Sequence, residues 1–328
     1  MRRAAPFVFH TSVRVLILGH GADTPSTRTR VLQYLPFFKK DGIEVERLDL
    51  PSGLYGRWKV FGRCAEFDVV LHQKRLLPAW QFRALRRRAK RLVYDFDDPM
   101  IYARSDGRVT LSSTREKRFR EILSIADAVT VHAGSDGLAR EYGARNVHVV
   151  PTPIDLSRWS AKVSWASPRL TLGWAGTAAH VGNLRDIATA LRGRGVRIVA
   201  DVSCEIPGAD VEFVPWTLEG EPDAVRSFDV ALAPLPDDPW SRWKMPYKIL
   251  TYFAAGVPVV ASRLGAVGSV IRDGENGLLA GDWDSCFRRL EDPAVRERIG
   301  RAGRATVERE FSVEVCYAKL KALLASLA

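Results

Sequence analysis

DPWSRWKMPYKILTYFAAGVPVV, residues Asp238–Val260, runs without a break from a polar turn through a helical stretch into an apolar strand. Pro246 favours a first helical turn, and Gly256 stops the helix ahead of the Val257–Val260 run. Lys244 and Lys248 stand four apart, the spacing of one helical face. A helix start supplies unpaired N–H groups and the positive end of the macrodipole, so two ammonium groups beside it suit a diphosphate. The plainer alternative is an amphipathic helix with solvated lysines.

On both sides of this stretch, short apolar runs alternate with longer helical patterns. The first half reads VRVLILG, IEVERLDL, FDVVLHQ, RLVYDFDD, DAVTVHA and NVHVVP, and the second restarts with RLTLGWAG, GVRIVAD, VEFVPW, FDVALAPL, VPVVAS and NGLLAG. That rhythm predicts two doubly wound parallel sheets in an α/β protein. Pro151, Pro153 and the polar stretch through Ser167 mark a linker, giving domains at 1–160 and 161–311. The last stretch, 292–328, reads as helix with interruptions at Gly303 and Ser312. In open parallel sheets ligands bind beyond the carboxyl ends of the strands, so two such domains are expected to enclose a cleft between their loops.

The 328 residues carry 49 Lys plus Arg against 38 Asp plus Glu. The surplus lies wholly in the first half: 28 against 17 through Ser160, and 21 against 21 after it. Six of the nine residues Arg83–Arg91 are basic, a helix that would rest on an anionic membrane surface, meet an acidic acceptor or form a solvated face. No zinc-finger, RNP or helix-turn-helix spacing accompanies the charge, so nucleic acid is not expected as a partner. Cys64, Cys204, Cys286 and Cys316 form no CxxC pair, which argues against a zinc site and a disulfide framework and fits a reducing cytoplasm. No run reaches the roughly 18 apolar residues of a membrane span, so any membrane contact would be peripheral.

Five strings in order, LTLGWAGTAAHVGNL, FDVALAPLPDD, YKILTYFAAGVPVVAS, GAVGSVIRDGENGLLA and DPAVRERIGRAGRATVEREFS, resemble the retaining family 4 glycosyltransferases of the GT-B fold. The first half is similar to a bacterial subgroup of that family through STRTRVLQYLPFFKKDGIEV, FDVVLHQKRLLP, VYDFDDPMIY and VVPTPIDLSRW. The resemblance implies two Rossmann-like domains facing a cleft, the second binding a nucleotide diphosphate sugar and the first a glycan or lipid-linked acceptor. It also implies that the last helix, 312–328, packs back on the first domain. Such enzymes build glycans, lipopolysaccharide, exopolysaccharide or glycolipid, in the cytoplasm or on the inner face of the cell membrane. One departure is plain: where the family carries two glutamates eight apart, this chain has Trp243 and Thr251.

The departing diphosphate needs preorganised cations and N–H donors, and Lys244 and Lys248 fit that catalytic role. Donor-binding candidates are the backbone N–H groups of Gly176 and Thr177, the ring of Trp216, which would stack on the base or fill the core, and Tyr247 and Thr251. In the first half, Asp97 and Asp98 would orient a hydroxyl, their mutual repulsion raising one pKa, or simply cap a helix. Arg28, Arg30 and Lys74 would clamp phosphate on donor or acceptor. His20, His72 and His132 would serve as a base only if one approached the sugar. Through the front-face route implied by the resemblance, the leaving phosphate itself deprotonates the acceptor. The Asp95, Asp97, Asp98 triplet suggests a DxD metal site, but two successive sheet domains argue against the fold that uses one, and no metal or cofactor is expected.

Three other readings compete. A dehydrogenase would need GxGxxG after VRVLILG, where the chain has HGADTPSTR instead. An epimerase would use the same donor domain without an acceptor, against which stand the basic first half and the aromatic Leu54–Trp58 segment. A non-enzymatic or catalytically weakened relative draws its support from the missing glutamates.

Overall fold

The computed structural model describes residues 13–19, 21, 24–105 and 108–328, and these divide into two compact units. Unit 1 comprises residues up to His132, Asp136–Val150 and Tyr317–Ala328; unit 2 comprises Ala133–Ser135 and Pro151–Cys316.

Unit 1 is built on strands β1 (Arg14–Gly19), β2 (Glu44–Asp49), β3 (Val69–Gln73) and β4 (Arg91–Phe96), a small hairpin of β5 (Tyr102–Ser105) and β6 (Arg108–Leu111), then β7 (Ala128–Val131) and β8 (Val147–Val149). Between them lie α1 (Pro25–Arg30), α2 (Leu35–Lys40), α3 (Leu54–Arg63), α4 (Ala79–Arg88), α5 (Ser113–Ile125) and α6 (Asp136–Glu141). The sheet is parallel, in the order β2-β1-β3-β4-β7-β8. Its central strands β3, β4 and β7 are apolar along most of their length because helices cover both faces, whereas edge strand β2, EVERLD, carries four charged residues and has none fully buried.

Unit 2 repeats the plan with β9 (Thr171–Ala175), β10 (Gly195–Ala200), β11 (Asp210–Pro215), β12 (Val230–Ala233), β13 (Val259–Ser262) and β14 (Leu278–Ala280). Its helices are α7 (Ala178–Val181), α8 (Ala188–Leu191), α9 (Glu221–Arg226), α10 (Lys248–Ala254), α11 (Trp283–Arg289) and α12 (Pro293–Glu310). A last helix, α13 (Val313–Leu327), starts in unit 2 and has its residues from Tyr317 onward in unit 1. The parallel order β11-β10-β9-β12-β13-β14 is that of a dinucleotide-binding fold, and it reverses direction between β9 and β12. Gly173, in the middle of β9, is needed because a Cβ there would lie 1.9 Å from the Phe228 ring.

Several boundaries differ from the sequence expectation. The chain passes to unit 2 at Pro151 rather than after Ser160, because Ile154 already pairs with Ser312 and Trp159 and Trp165 are buried in unit 2. Gly303 does not interrupt the last stretch: α12 continues through it, and a Cβ there would come 2.7 Å from Phe253, so the glycine lets α12 press against α10. The break falls at Ser312, whose hydroxyl accepts the Val315 N–H at 3.3 Å and caps α13. Within unit 1, Tyr317 of α13 donates to Asp41 at 2.7 Å, Lys321 pairs with the same carboxylate at 2.9 Å, and the Tyr317 ring meets Tyr34, Phe37 and Phe38.

Candidate functional site

In unit 2 the loops after β9 and β12 flank the point where the strand order reverses, the usual place for a ligand in such a sheet. The β12 loop ends in a tight turn: Asp238 accepts the backbone N–H groups of Ser241 and Arg242, and Ala266 N–H bonds Arg242 C=O at 3.1 Å. Lys244 sits in that turn, its N–H on Ser241 C=O, and α10 begins only at Lys248. The two lysines therefore do not share a helical face as their spacing predicts. They remain close enough for the Lys244 charge to disfavour a proton on Lys248.

Lys248 is the first residue of a helix whose other members, Ile249–Ala254, are all buried. Its Nζ lies 3.8 Å from the centroid of the Trp174 ring, the fully buried tryptophan of β9. Among the described residues no carboxylate comes within ion-pairing distance of it. Burial, and then Lys244, push its pKa well below the ordinary lysine value. A cation in an apolar setting whose only partner is a ring face is stabilised by an anion that arrives with a ligand.

Four residues further along α10, Tyr252 holds this arrangement in register. Its hydroxyl accepts Ala175 N–H at 2.9 Å and is 3.3 Å from Leu232 C=O, joining the ends of β9 and β12. Neither Trp174 nor Tyr252 was expected as part of the site. The signal for both was present, since GWAG ends one strand of the reversal and YKILTYF repeats an aromatic beside Lys248.

Gly176 was expected to offer its N–H to phosphate, but that N–H is spent on Val199 C=O of β10 at 3.1 Å. Its contribution is space: a Cβ there would lie 2.8 Å from Lys248 Nζ and 2.7 Å from the Trp174 ring. Gly176→Ala should displace the ammonium and weaken diphosphate binding at least tenfold by calorimetry, while far-UV circular dichroism stays unchanged. Thr177 follows with extended backbone, exposed, at the head of α7. Thr251 is buried and donates its hydroxyl to Lys248 C=O at 2.8 Å, so its donor is used inside the helix rather than held out for a ribose. Tyr247 is half-buried against the core, its hydroxyl 3.3 Å from Pro153 C=O. Trp216 packs partly on the same core at the end of edge strand β11. Trp243 accepts the Ser135 hydroxyl on its backbone carbonyl at 3.2 Å.

The candidates of unit 1 fall into two groups. Arg30 is not a phosphate clamp: it is buried, donates from Nε to Asp95 at 3.0 Å and from Nη2 to the other carboxylate oxygen, and from Nη1 to Val150 C=O at 3.1 Å. Thr130 donates to the same carboxylate at 2.7 Å, so Asp95 too is committed to the core. Lys74 is likewise engaged, bridging Asp97 at 2.6 Å and Asp98 at 2.7 Å. Burial disfavours the Lys74 ammonium, but the two carboxylates outweigh it and raise its pKa. Lys74 between the pair supplies the counter-charge that the expected repulsion between them lacked. Arg28 alone of the three basic candidates is exposed, with no ion pair to another described residue.

Two histidines serve the fold. His72 is buried, with Nε2 2.7 Å from Arg75 C=O and its ring stacked on Tyr94. His132 is buried near Arg30, and burial followed by that charge pushes it down to about 3. His20 lies outside the described residues.

Residues 181–292 match the family model described as glycosyl transferases group 1, a span that holds Trp216, Lys244, Lys248 and Thr251 and begins just after Gly176 and Thr177. No curated protein matches the sequence. Among solved structures, HepE of Anabaena in complex with UDP and glucose superposes with a TM-score of 0.70 at 16% identity, covering 96% of this chain and 100% of that one. Sucrose-phosphate synthase from Thermosynechococcus elongatus gives 0.75 at 16% identity, covering 97% and 99%. A glycosyltransferase from Rickettsia africae gives 0.71 at 13%, covering 97% and 99%. These likenesses establish the GT-B fold that the resemblance implied.

Proposed function

We propose that this chain, whose second unit carries a glycosyl transferases group 1 domain on a GT-B fold, moves a sugar from a nucleotide diphosphate sugar to an acceptor hydroxyl. The observation that carries the proposal is Lys248, a cation in an apolar setting with no carboxylate partner among the described residues, at the strand-order reversal and beside Lys244. As the bond to the anomeric carbon breaks, negative charge grows on the diphosphate, and the two ammonium groups stabilise it there. No metal is needed in this scheme, since the lysines supply the counter-charge. UDP is the favoured nucleotide, because HepE was solved with UDP and with UDP-glucose. Transfer with retention, the leaving phosphate taking the acceptor proton, requires no separate base, which agrees with the burial of His72 and His132.

Unit 1 takes the acceptor in this reading. The Lys74–Asp97–Asp98 cluster, its carboxylates about one-fifth exposed, offers oxygens to a sugar hydroxyl, and exposed Arg28 suits an acceptor phosphate. A glycan or lipid-linked acceptor fits, in polysaccharide or glycolipid assembly. The basic surface of this unit suits a cytoplasmic enzyme bound peripherally to a membrane; among the described residues no helix is long and apolar enough to cross one.

A panel of nucleotide sugars tests the donor. Stabilisation against heat by at least one UDP-sugar and slow hydrolysis of that sugar nucleotide to UDP are expected; stabilisation by NAD and by no nucleotide sugar would overturn the proposal.

A further inference from the structure

Helices α3 and α4 of unit 1, LYGRWKVFGR and AWQFRALRRR, contain no acidic residue. Together they expose an aromatic and aliphatic face: Leu54 is 54% accessible, Tyr55 74%, Trp58 39% and Trp80 48%. The Trp58 and Trp80 rings lie 6.1 Å apart at 30°, and Trp58 is anchored edge-on against buried Phe61. A soluble surface seldom gathers two tryptophans, a tyrosine and a leucine unless they meet something.

The cations around this face are sorted. Towards the edges of the two helices they are neutralised: Arg63 by Glu46 and Glu66, Arg83 by Glu121, Arg86 by Asp127, and nearby Lys90 by Asp68. Beside the aromatic rings they are not. Arg88 lies 5.0 Å from the Trp58 centroid and donates to Ala84 C=O, and Lys59 lies 4.6 Å over Tyr55. Arg57 bonds Pro51 C=O and the Gln81 side chain, and Arg87 is exposed; among the described residues none of the four pairs with a carboxylate.

We propose that the α3–α4 face docks on an anionic lipid bilayer, the rings entering the headgroup region and Arg57, Lys59, Arg87 and Arg88 meeting lipid phosphates. The proposal rests on the peripheral reading above and gives it an address. Tryptophan and tyrosine suit the interface because each has an apolar body and a polar tip, and a guanidinium or ammonium on a ring face accompanies it there. Sugar stacking fits less well, since Arg88 and Lys59 already cover ring faces of Trp58 and Tyr55. Each cation near an anionic surface is worth about a five-fold gain in binding.

Cosedimentation with phosphatidylcholine vesicles, with and without phosphatidylglycerol, tests this on the full chain. The wild type should bind only the anionic vesicles and release in high salt. Lys59→Gln/Arg87→Gln/Arg88→Gln should lose about a hundred-fold in affinity, and Trp58→Ser/Trp80→Ser about tenfold. Both variants should keep the wild-type circular dichroism and the same stabilisation by UDP-glucose in solution. Absent binding to anionic vesicles, or binding that both variants retain, overturns the proposal. So does a concentration-dependent dimer, or binding of single-stranded DNA as tight as that of vesicles, if the aromatic variant abolishes it. Because donor stabilisation is read without lipid, its failure in the wild type overturns the transferase reading alone.

Discussion

Lys248→Met is expected to lower kcat by about 10²–10³, the loss seen when one preorganised donor to a developing anion is removed, and at the same time to raise the melting temperature of the free protein. The two effects share one cause. In the free protein the Lys248 ammonium sits on the Trp174 ring with Lys244 as its charged neighbour, so its charge is a cost of folding that the ligand relieves. Methionine keeps the stem and removes the charge, which should add about 2–4 °C, the shift that roughly 1 kcal/mol produces in a domain the size of unit 2. A lysine that merely covered the core would give the opposite pair of results: less stability and unchanged turnover. Calorimetric melting with and without UDP, beside initial rates, separates them.

The same residue gives a dependence on pH. Its folded-state pKa lies below its unfolded value, so between the two the unfolded chain holds more protons, and stability at this site rises with pH through that window. Diphosphate favours the charged ammonium and must raise that pKa, so binding takes up a proton there. Affinity for UDP should therefore fall as pH rises through the free-state pKa, and Lys248→Met should flatten that dependence while Lys74→Met leaves it intact. Equal flattening by both substitutions would place the anion elsewhere.

Much of this was legible in the chain. The central strands, buried on both faces, read as continuous apolar runs, and the turn, lysine and glycine between Asp238 and Val260 stood out as a candidate ligand loop. What stayed hidden depends on pairs distant in sequence. Nothing local says that Lys248 will rest on Trp174, that Gly176 lends space rather than its N–H, or that Arg30 will find Asp95. The β5–β6 hairpin was missed although Asp106-Gly107 is a hairpin dipeptide, because its strands are short and half exposed and carry no apolar period. Gly303 looked like a helix stop because glycine disfavours helices; packing against Phe253 outweighs the roughly 1 kcal/mol involved.

Arg30 shows how far a distant partner changes a residue's meaning. In the STRTR loop it looks like a phosphate ligand, for which alanine would cost activity and leave stability alone. In the folded chain it donates to Asp95 and to Val150 C=O, and both members of the pair are buried. Arg30→Ala leaves the buried Asp95 carboxylate without its counter-charge, with Thr130 as its remaining side-chain donor among the described residues, and should destabilise unit 1 by about 3–5 kcal/mol. Urea unfolding should show an earlier midpoint at unchanged slope. Arg30→Lys should recover little, since an ammonium cannot reproduce the two-pronged contact with both carboxylate oxygens. Arg30→Met/Asp95→Leu should recover most of the loss, because it removes the charge pair together and leaves no ion to desolvate. If Arg30→Ala instead unfolded like the wild type and lost only UDP-sugar or acceptor binding, the pair would be dispensable to the fold and the clamp reading would return.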